Sequence, residues 1–274
     1  MKVLLGDYPV THSLRSGKVY SENLKLDFAD VKLAHHAFKR VVRDLEFDIA
    51  ELAIVTFLLA RAHGKPYRLL PAVVTARFQH PFLVCRSNKH FLPESLAGKT
   101  IGQRSYSVTT ATWLRGILAD DYGVDLGSVK WVTFEEPHVA EFRDPPNVVR
   151  APAGKDVVSM LLAGELDAAI VTDIPDDPRI RPVFADPQAA AAAWRARHGA
   201  DIQINHMVVA KEGVSSSVAH EFYEMLVQSK AAAGNPPSNP FGIEENRRNL
   251  EAAIDCVHRQ GMIPRRYTVE ELFA

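Results

Sequence analysis

The stretch Val157-Val158-Ser159-Met160-Leu161-Leu162-Ala163-Gly164-Glu165-Leu166-Asp167-Ala168-Ala169-Ile170 reads as a helix stopped by a glycine and turned at once into a buried strand. A comparable unit lies in the first half of the chain, at Val41-Val42-Arg43-Asp44-Leu45-Glu46-Phe47-Asp48-Ile49-Ala50. Each is a helix, an acidic turn and an "Asp-x-Ala" strand. One such unit in each half predicts two α/β lobes.

Outward from these units, short apolar runs at 3–5, 24–28, 47–53, 71–76, 82–86, 100–103, 129–134, 167–172 and 207–210 read as strands. They alternate with helical patterns at 33–45, 54–62, 105–121, 156–162, 188–198, 218–233 and 244–260, and a short turn at 269–273. Residues 7–12 read as a polar loop. Strands alternating with helices argue an α/β protein with mostly parallel sheets. The pair of lobes looks like a type II periplasmic-binding-protein fold, in which the chain crosses between the lobes twice and ligands sit in the cleft between them, outside the carboxyl ends of the strands. That resemblance implies crossings near 79–82 and near 205–207, with residues 1–81 and 207–274 in the first lobe and 82–206 in the second.

Composition is that of an ordinary globular chain: 274 residues, 47% hydrophobic and 24% charged, with 15 Gly and 17 Pro. This excludes disordered, collagen-like and coiled-coil proteins. Thirty-two Lys and Arg against 33 Asp and Glu leave a net charge of −1, so no basic excess drives binding to nucleic acid or anionic lipid. The two cysteines, Cys85 and Cys256, stand far apart and outside any C-x-x-C spacing, which suits free thiols. After Lys2 only Val3, Leu4 and Leu5 are strongly apolar before Gly6 and Asp7, short of the roughly 7–15 residues of a secretory core. No run reaches the ~18 apolar residues of a membrane span. With Met1 as the start, a cytoplasmic protein is expected, and a homo-oligomer is compatible with the composition.

The polar groups expected to face the cleft come from many segments. Tyr8, Thr11 and His12 follow the first strand, Glu51 interrupts the third, and Arg77 and His80 follow the 71–76 run. Ser105, Tyr106, Thr109 and Thr110 open a helix, where free N–H groups and hydroxyls suit a carboxylate or phosphate, although hydroxyls there also serve as caps. Arg77 would grip a carboxylate with both arms, or pair with a surface acid instead. His12, His80 and His206 titrate near neutrality and are candidates to move a proton. Glu51 lies between Ala50 and Leu52-Ala53; burying an unpaired polar group costs roughly 2–7 kcal/mol, so it is either a raised-pKa acid or paired with a histidine or arginine. Three loop histidines and a carboxylate would suit zinc or iron, but no H-x-x-x-H or H-E-x-x-H spacing occurs, and no metal is assigned. G-x-G-x-x-G, P-loop and G-x-S-x-G motifs are absent, so no organic cofactor is indicated.

The chain resembles the 4,5-dihydroxyphthalate decarboxylase family. The matching stretches are Gly6-Asp7-Tyr8 with Thr11-His12, Phe47-Asp48-Ile49-Ala50-Glu51, Arg77-Phe78-Gln79-His80, and Val108-Thr109-Thr110-Ala111-Thr112-Trp113-Leu114-Arg115-Gly116-Ile117-Leu118. Further matches are Tyr122-Gly123-Val124, Leu162-Ala163-Gly164-Glu165-Leu166-Asp167-Ala168, His206 before Val208-Val209, and Pro240-Phe241-Gly242-Ile243-Glu244-Glu245-Asn246-Arg247. The resemblance implies a non-oxidative decarboxylase on the two-lobed fold, with a small aromatic carboxylate as its partner. His12, Glu51, His80 and His206 would be its catalytic candidates, and Tyr8, Arg77, Ser105, Tyr106, Thr109 and Thr110 its substrate contacts. Gln79 and Asp173 stand where the family tends to carry arginines, which favours an aromatic or other small carboxylate over 4,5-dihydroxyphthalate itself. The alternatives are a solute-binding protein or sensor for such an acid, or another cytoplasmic enzyme of this fold, such as a menaquinone-pathway enzyme or a thiamine-pyrimidine synthase.

Overall fold

The computed structural model describes all 274 residues, Met1–Ala274. They form two compact units, Met1–Arg77 with Ile202–Ala274, and Phe78–Asp201. The exchanges fall at 77/78 and 201/202 rather than 81/82 and 206/207. The shift moves His80 into the second unit and His206 into the first, because the strand carrying His206 starts at Ile204 and is paired on both sides within the first sheet.

The first unit opens with β1 (Lys2–Leu4), α1 (Pro9–Arg15), β2 (Asp27–Phe28), α2 (Phe38–Val42), β3 (Ile49–Ala53), α3 (Ile54–Ala62) and β4 (Tyr67–Ala76). The second holds β5 (Leu83–Arg86), β6 (Thr100–Gln103), α4 (Thr109–Tyr122), β7 (Lys130–Thr133), β8 (Val148–Arg150), α5 (Val157–Ala163), β9 (Ala168–Ile170), β10 (Ile180–Pro182) and α6 (Pro187–His198). The chain then returns to the first unit with β11 (Ile204–Lys211), α7 (Ser216–Ala232) and α8 (Ile243–Arg259).

The first sheet has the order β2-β1-β3-β11-β4 and the second β10-β5-β9-β6-β7-β8. In each sheet one strand is reversed against the others, β11 in the first and β5 in the second. Both reversed strands are the first to form after the chain changes unit. The remaining strands within each sheet run parallel, so their carboxyl ends gather along one edge, where ligands bind in open α/β sheets.

The stretch that opens the sequence reading is built as expected. Asp156 caps α5 by accepting from the Val158 and Ser159 amides, and Gly164 closes it at φ 81°, a left-handed turn that costs glycine nothing. Asp167 then locks β9 beside β6: its carboxylate accepts from Thr100 N and its own amide donates to Thr100 O, both at 2.9 Å. Asp48 repeats this in the first unit, bonding Lys2 N and Lys2 O, again at 2.9 Å each. The recurring "Asp-x-Ala" is thus a staple at the amino ends of two neighbouring parallel strands.

The cores follow from strand alternation. In the first unit Val3, Leu5, Ile49, Leu70, Val74, Val208 and Ala210 pack against Phe222, Met225 and Leu226 of α7. In the second, Val84, Val132, Leu166 and Ala169 pack with Met160 and Leu161 of α5. At roughly 1.5–3 kcal/mol for each large apolar side chain buried, these layers dominate the stability of each unit.

Three local expectations change. The stretch expected as a loop at 7–12 gives way to α1 from Pro9 onward. The 33–45 helix is a 3-10 turn, Ala34–Ala37, running into the short α2, which ends at Val42; beyond it Leu45 adopts φ 51°. The 24–28 strand shrinks to Asp27–Phe28.

Candidate active site

Glu51 is fully buried, in the middle of β3, and every bond it needs is supplied by its own unit. Its Oε2 accepts from the Gly6 amide at 2.7 Å. Its Oε1 accepts from the Tyr8 hydroxyl at 2.7 Å and faces His206 Nδ1 at 2.6 Å. Strand register explains the meeting. Val208 lies opposite Glu51 and His206 opposite Ala53, so His206 is Glu51's diagonal neighbour on the same face, one step nearer the carboxyl edge. The β4–β11 register shifts on both sides of His206, the kind of irregularity that re-aims a side chain.

The Gly6-Asp7-Tyr8 turn is held in place by Thr11, whose hydroxyl accepts from Tyr8 N at 2.9 Å and donates to Gly6 O at 2.7 Å. A Cβ on Gly6 would run into the Tyr8 ring, so this position needs glycine. Burial and the adjacent Glu51 carboxylate push the Tyr8 phenol well above its usual range, which keeps it a hydrogen-bond donor at every working pH. Because a carboxylate only accepts, His206 must present Nδ1–H to it. That leaves Nε2 as a basic nitrogen on a ring 18% exposed and braced edge-on by Phe38.

Arg77 follows β4 at the same edge; Ala76 pairs with Ile204, and the Arg77 amide donates to Gln203 O at 3.2 Å. His12 is not part of the Glu51 group. Val10, Thr11 and Leu14 are the inward residues of α1, which leaves His12 in solvent, 3.0 Å from an equally exposed Asp7.

The remaining expected site residues lie in the second unit. His80 is buried, edge-on to Phe184 and tilted against Phe78, and neither ring nitrogen has a hydrogen-bond partner in the protein. Burial holds its pKa down to about 4, so it is neutral at physiological pH. The helix expected to open at Ser105 opens at Thr109, with Val108 extended at the N-cap, so Ser105 and Tyr106 sit in the preceding turn. Thr109 is buried and Thr110 partly so. The Tyr106 ring is covered by the Arg115 guanidinium at 3.6 Å and is a packing surface for it.

Sequence reasoning missed Arg115, Gln103 and Thr133. Arg115 is fully buried within the apolar run Trp113-Leu114-Arg115-Gly116-Ile117, and that is the same signal that singled out Glu51. No grouping of three or more His, Cys, Asp or Glu side chains suited to a metal ion is present. No helix is long and apolar enough to cross a membrane.

No family model matches the chain. A 4,5-dihydroxyphthalate decarboxylase from Comamonas testosteroni is 28% identical over 211 residues, which is 72% of this chain. A second, from Pseudomonas putida, is 28% identical over 208 residues, 71% of this chain and 80% of its own length. The chain is similar to these two 4,5-dihydroxyphthalate decarboxylases. It spans 64% of the length of the Comamonas relative.

Among solved structures, the alkanesulfonate-binding protein SsuA from Xanthomonas axonopodis pv. citri, bound to MOPS, aligns over 99% of this chain and 96% of its own, with a TM-score of 0.62 and 13% identity. The aliphatic sulphonate binding protein SsuA from Escherichia coli aligns over 100% and 96%, with a TM-score of 0.59 and 10% identity. Likeness at this identity shows the fold, which is the α/β fold of the periplasmic solute-binding proteins.

Proposed function

We propose that the protein is a non-oxidative carboxy-lyase that removes carbon dioxide from a hydroxylated aromatic carboxylic acid, with His206 as the proton carrier. The observation that carries this reading is the buried Glu51 carboxylate, bonded to Tyr8, Gly6 and His206 so that His206 Nε2 is left basic. Kinship with enzymes named as decarboxylases supplies the reaction class.

In this scheme the substrate's phenolic proton passes to His206 Nε2, and Glu51 stabilises the imidazolium that results. The phenolate raises electron density at the ring carbon bearing the carboxylate. Nε2 then delivers the proton to that carbon, the carbon–carboxylate bond breaks, and its electron pair restores the aromatic ring as carbon dioxide leaves. The product phenolate regains a proton from solvent. Such a proton carrier supplies roughly 10²–10⁴-fold in rate. Arg77, at the same edge of the first sheet, would add a guanidinium that complements the substrate's negative charge.

Incubation with a panel of hydroxybenzoates and hydroxyphthalates, with carbon dioxide followed, tests this. Release by the wild type, abolished in a folded His206→Ala variant, is the expected result. A variant with unchanged turnover would refute the role of His206. A second reading draws on the solved structures of this fold, which are named as solute-binding proteins. Tight binding of an aromatic acid with no carbon dioxide released would favour that receptor role.

A further inference from the structure

Three fully buried polar atoms collect where β6 and β7 end, and none has a hydrogen-bond partner in the protein: Gln103 Nε2, Ser105 Oγ and Thr133 Oγ1. Gln103 and Thr133 are register partners, so their side chains share one face of the sheet. Ser105 follows two residues after Gln103. The face they occupy is the one covered by α4, since Arg115 of that helix reaches Gln103.

Arg115 explains why the Gln103 amide points as it does. A guanidinium only donates, so the 2.9 Å bond from Arg115 Nη1 must end on the Gln103 carbonyl oxygen. The guanidinium itself is fixed between the Tyr106 ring at 3.6 Å and the Trp131 ring at 5.7 Å, and donates to Thr112 Oγ1 at 3.2 Å. The Gln103 NH₂ is therefore turned away from Arg115, as a donor that the protein does not use. Beside it, the 14-residue helix α4 begins without a side-chain cap, because Val108 has nothing to accept with. Three orphaned polar groups able to donate and an uncapped helix start all favour a bound oxyanion. Leaving such groups buried and unbonded is costly, which a bound oxyanion would relieve.

We infer that Gln103, Ser105 and Thr133, with the start of α4, form an oxyanion subsite that binds the carboxylate of an aromatic acid, and that Arg115 is the positioning residue that turns the Gln103 amide toward it. The carboxylate class rests on the functional reading above, whereas the subsite itself is a statement about binding. Its geometry is selective: an ester or amide of the same acid lacks the charge that the helix start and the donors would meet.

Titration calorimetry on the full-length protein with 3,4-dihydroxybenzoate and with its methyl ester separates the possibilities. Gln103→Glu keeps an acceptor for Arg115, so the melting temperature should hold. It removes the donor and adds a negative charge, so the acid should bind on the order of 10- to 100-fold more weakly while the ester changes little. Ser105→Ala and Thr133→Val should each weaken the acid by about two- to tenfold. Arg115→Lys should lower the acid-to-ester preference, which a purely structural role would leave alone. The subsite is overturned if the acid shows no saturable binding, if Gln103→Glu binds it as the wild type does, or if acid and ester weaken by the same factor. A protein that binds the acid through Gln103 but never releases carbon dioxide would refute the lyase and leave the subsite standing.

Discussion

The two units share a scaffold and differ in what they place at its working edge. At the amino ends of their strands they are alike. Asp48 staples β3 to β1 as Asp167 staples β9 to β6, through the same pair of 2.9 Å bonds. At the carboxyl ends they diverge. The first unit holds a buried carboxylate whose every bond is met internally, and one basic imidazole nitrogen is the product of that arrangement. The second holds His80, Gln103, Ser105 and Thr133, whose buried polar atoms the protein leaves unbonded, beside the buried Arg115 guanidinium that fixes Gln103. A carboxylate with its bonds met fixes a reactive group, whereas donors left unbonded wait for a ligand.

Glu51→Gln breaks the contrast most severely. The amide must give its oxygen to the Gly6 N–H, which cannot turn, so its NH₂ faces Tyr8 and His206. His206 would then accept at Nδ1 and carry its proton on Nε2, the wrong tautomer for a base. Turnover on any substrate found should fall on the order of 10²–10⁴-fold with the fold retained. Retained activity would show that the Glu51–His206 bond is only structural. ¹⁵N chemical shifts of the His206 ring report the tautomer directly.

How the sequence announced these two edges differs in the same way. Glu51 was legible because a carboxylate amid Ala50, Leu52 and Ala53 conflicts with its neighbours, and its pairing with a histidine was among the outcomes expected. That the histidine is His206 depends on antiparallel register between strands 155 residues apart in sequence, which no local pattern encodes. Gln103 and Thr133 went unnoticed because neutral polar residues at strand ends look ordinary until burial and missing partners are known. The "Asp-x-Ala" units marked the fold correctly, since a helix stop and a buried strand are local features. α1 lacks a long apolar period, being a seven-residue helix that opens on Tyr8-Pro9, and β8 and β10 have no fully buried residue, so no apolar run marks them, unlike the equally short β1 and β9.

Acid tests the second unit's edge. His80 holds a pKa of about 4 in the folded protein against 6.5 for the free side chain. Between those two values the unfolded chain binds a proton that the folded chain refuses, so stability falls as pH falls through that window, by up to ~3 kcal/mol. Denaturant unfolding of His80→Phe, compared with wild type at pH 7 and pH 4, should show a shallower acid loss by about that amount. An identical slope would mean that the His80 ring protonates freely in the fold.

Tyr8→Phe should have a smaller effect. Glu51 Oε1 loses one of its two donors but keeps His206, and Oε2 keeps Gly6. One hydrogen bond of this kind contributes roughly 0.5–1.5 kcal/mol, so turnover should drop about two- to tenfold. Because the Tyr8 phenol stays protonated, the alkaline side of the pH–rate profile should not move. A loss beyond about a hundredfold would place Tyr8 among the groups that move protons.

The smallest effect expected is also the most informative about the second unit, because it sets stability against binding. α5 is capped by Asp156, with bonds of 3.1 and 2.9 Å to Val158 N and Ser159 N, whereas α4 begins at Val108 with no cap. Val108 already has the extended backbone of an N-cap residue, φ −74° and ψ 144°, so Val108→Ser needs no rearrangement to bond the first-turn amides. A serine cap adds about 0.5–2 kcal/mol of helix stability. The same hydroxyl would occupy the donors that an oxyanion needs, so the variant should melt higher and bind 3,4-dihydroxybenzoate more weakly. Asp156→Ala is the control: it should lose a similar ~1 kcal/mol and leave binding untouched. If Val108→Ser gained stability without weakening the acid, the start of α4 would be an ordinary frayed end, and the anion would have to be held by side chains alone.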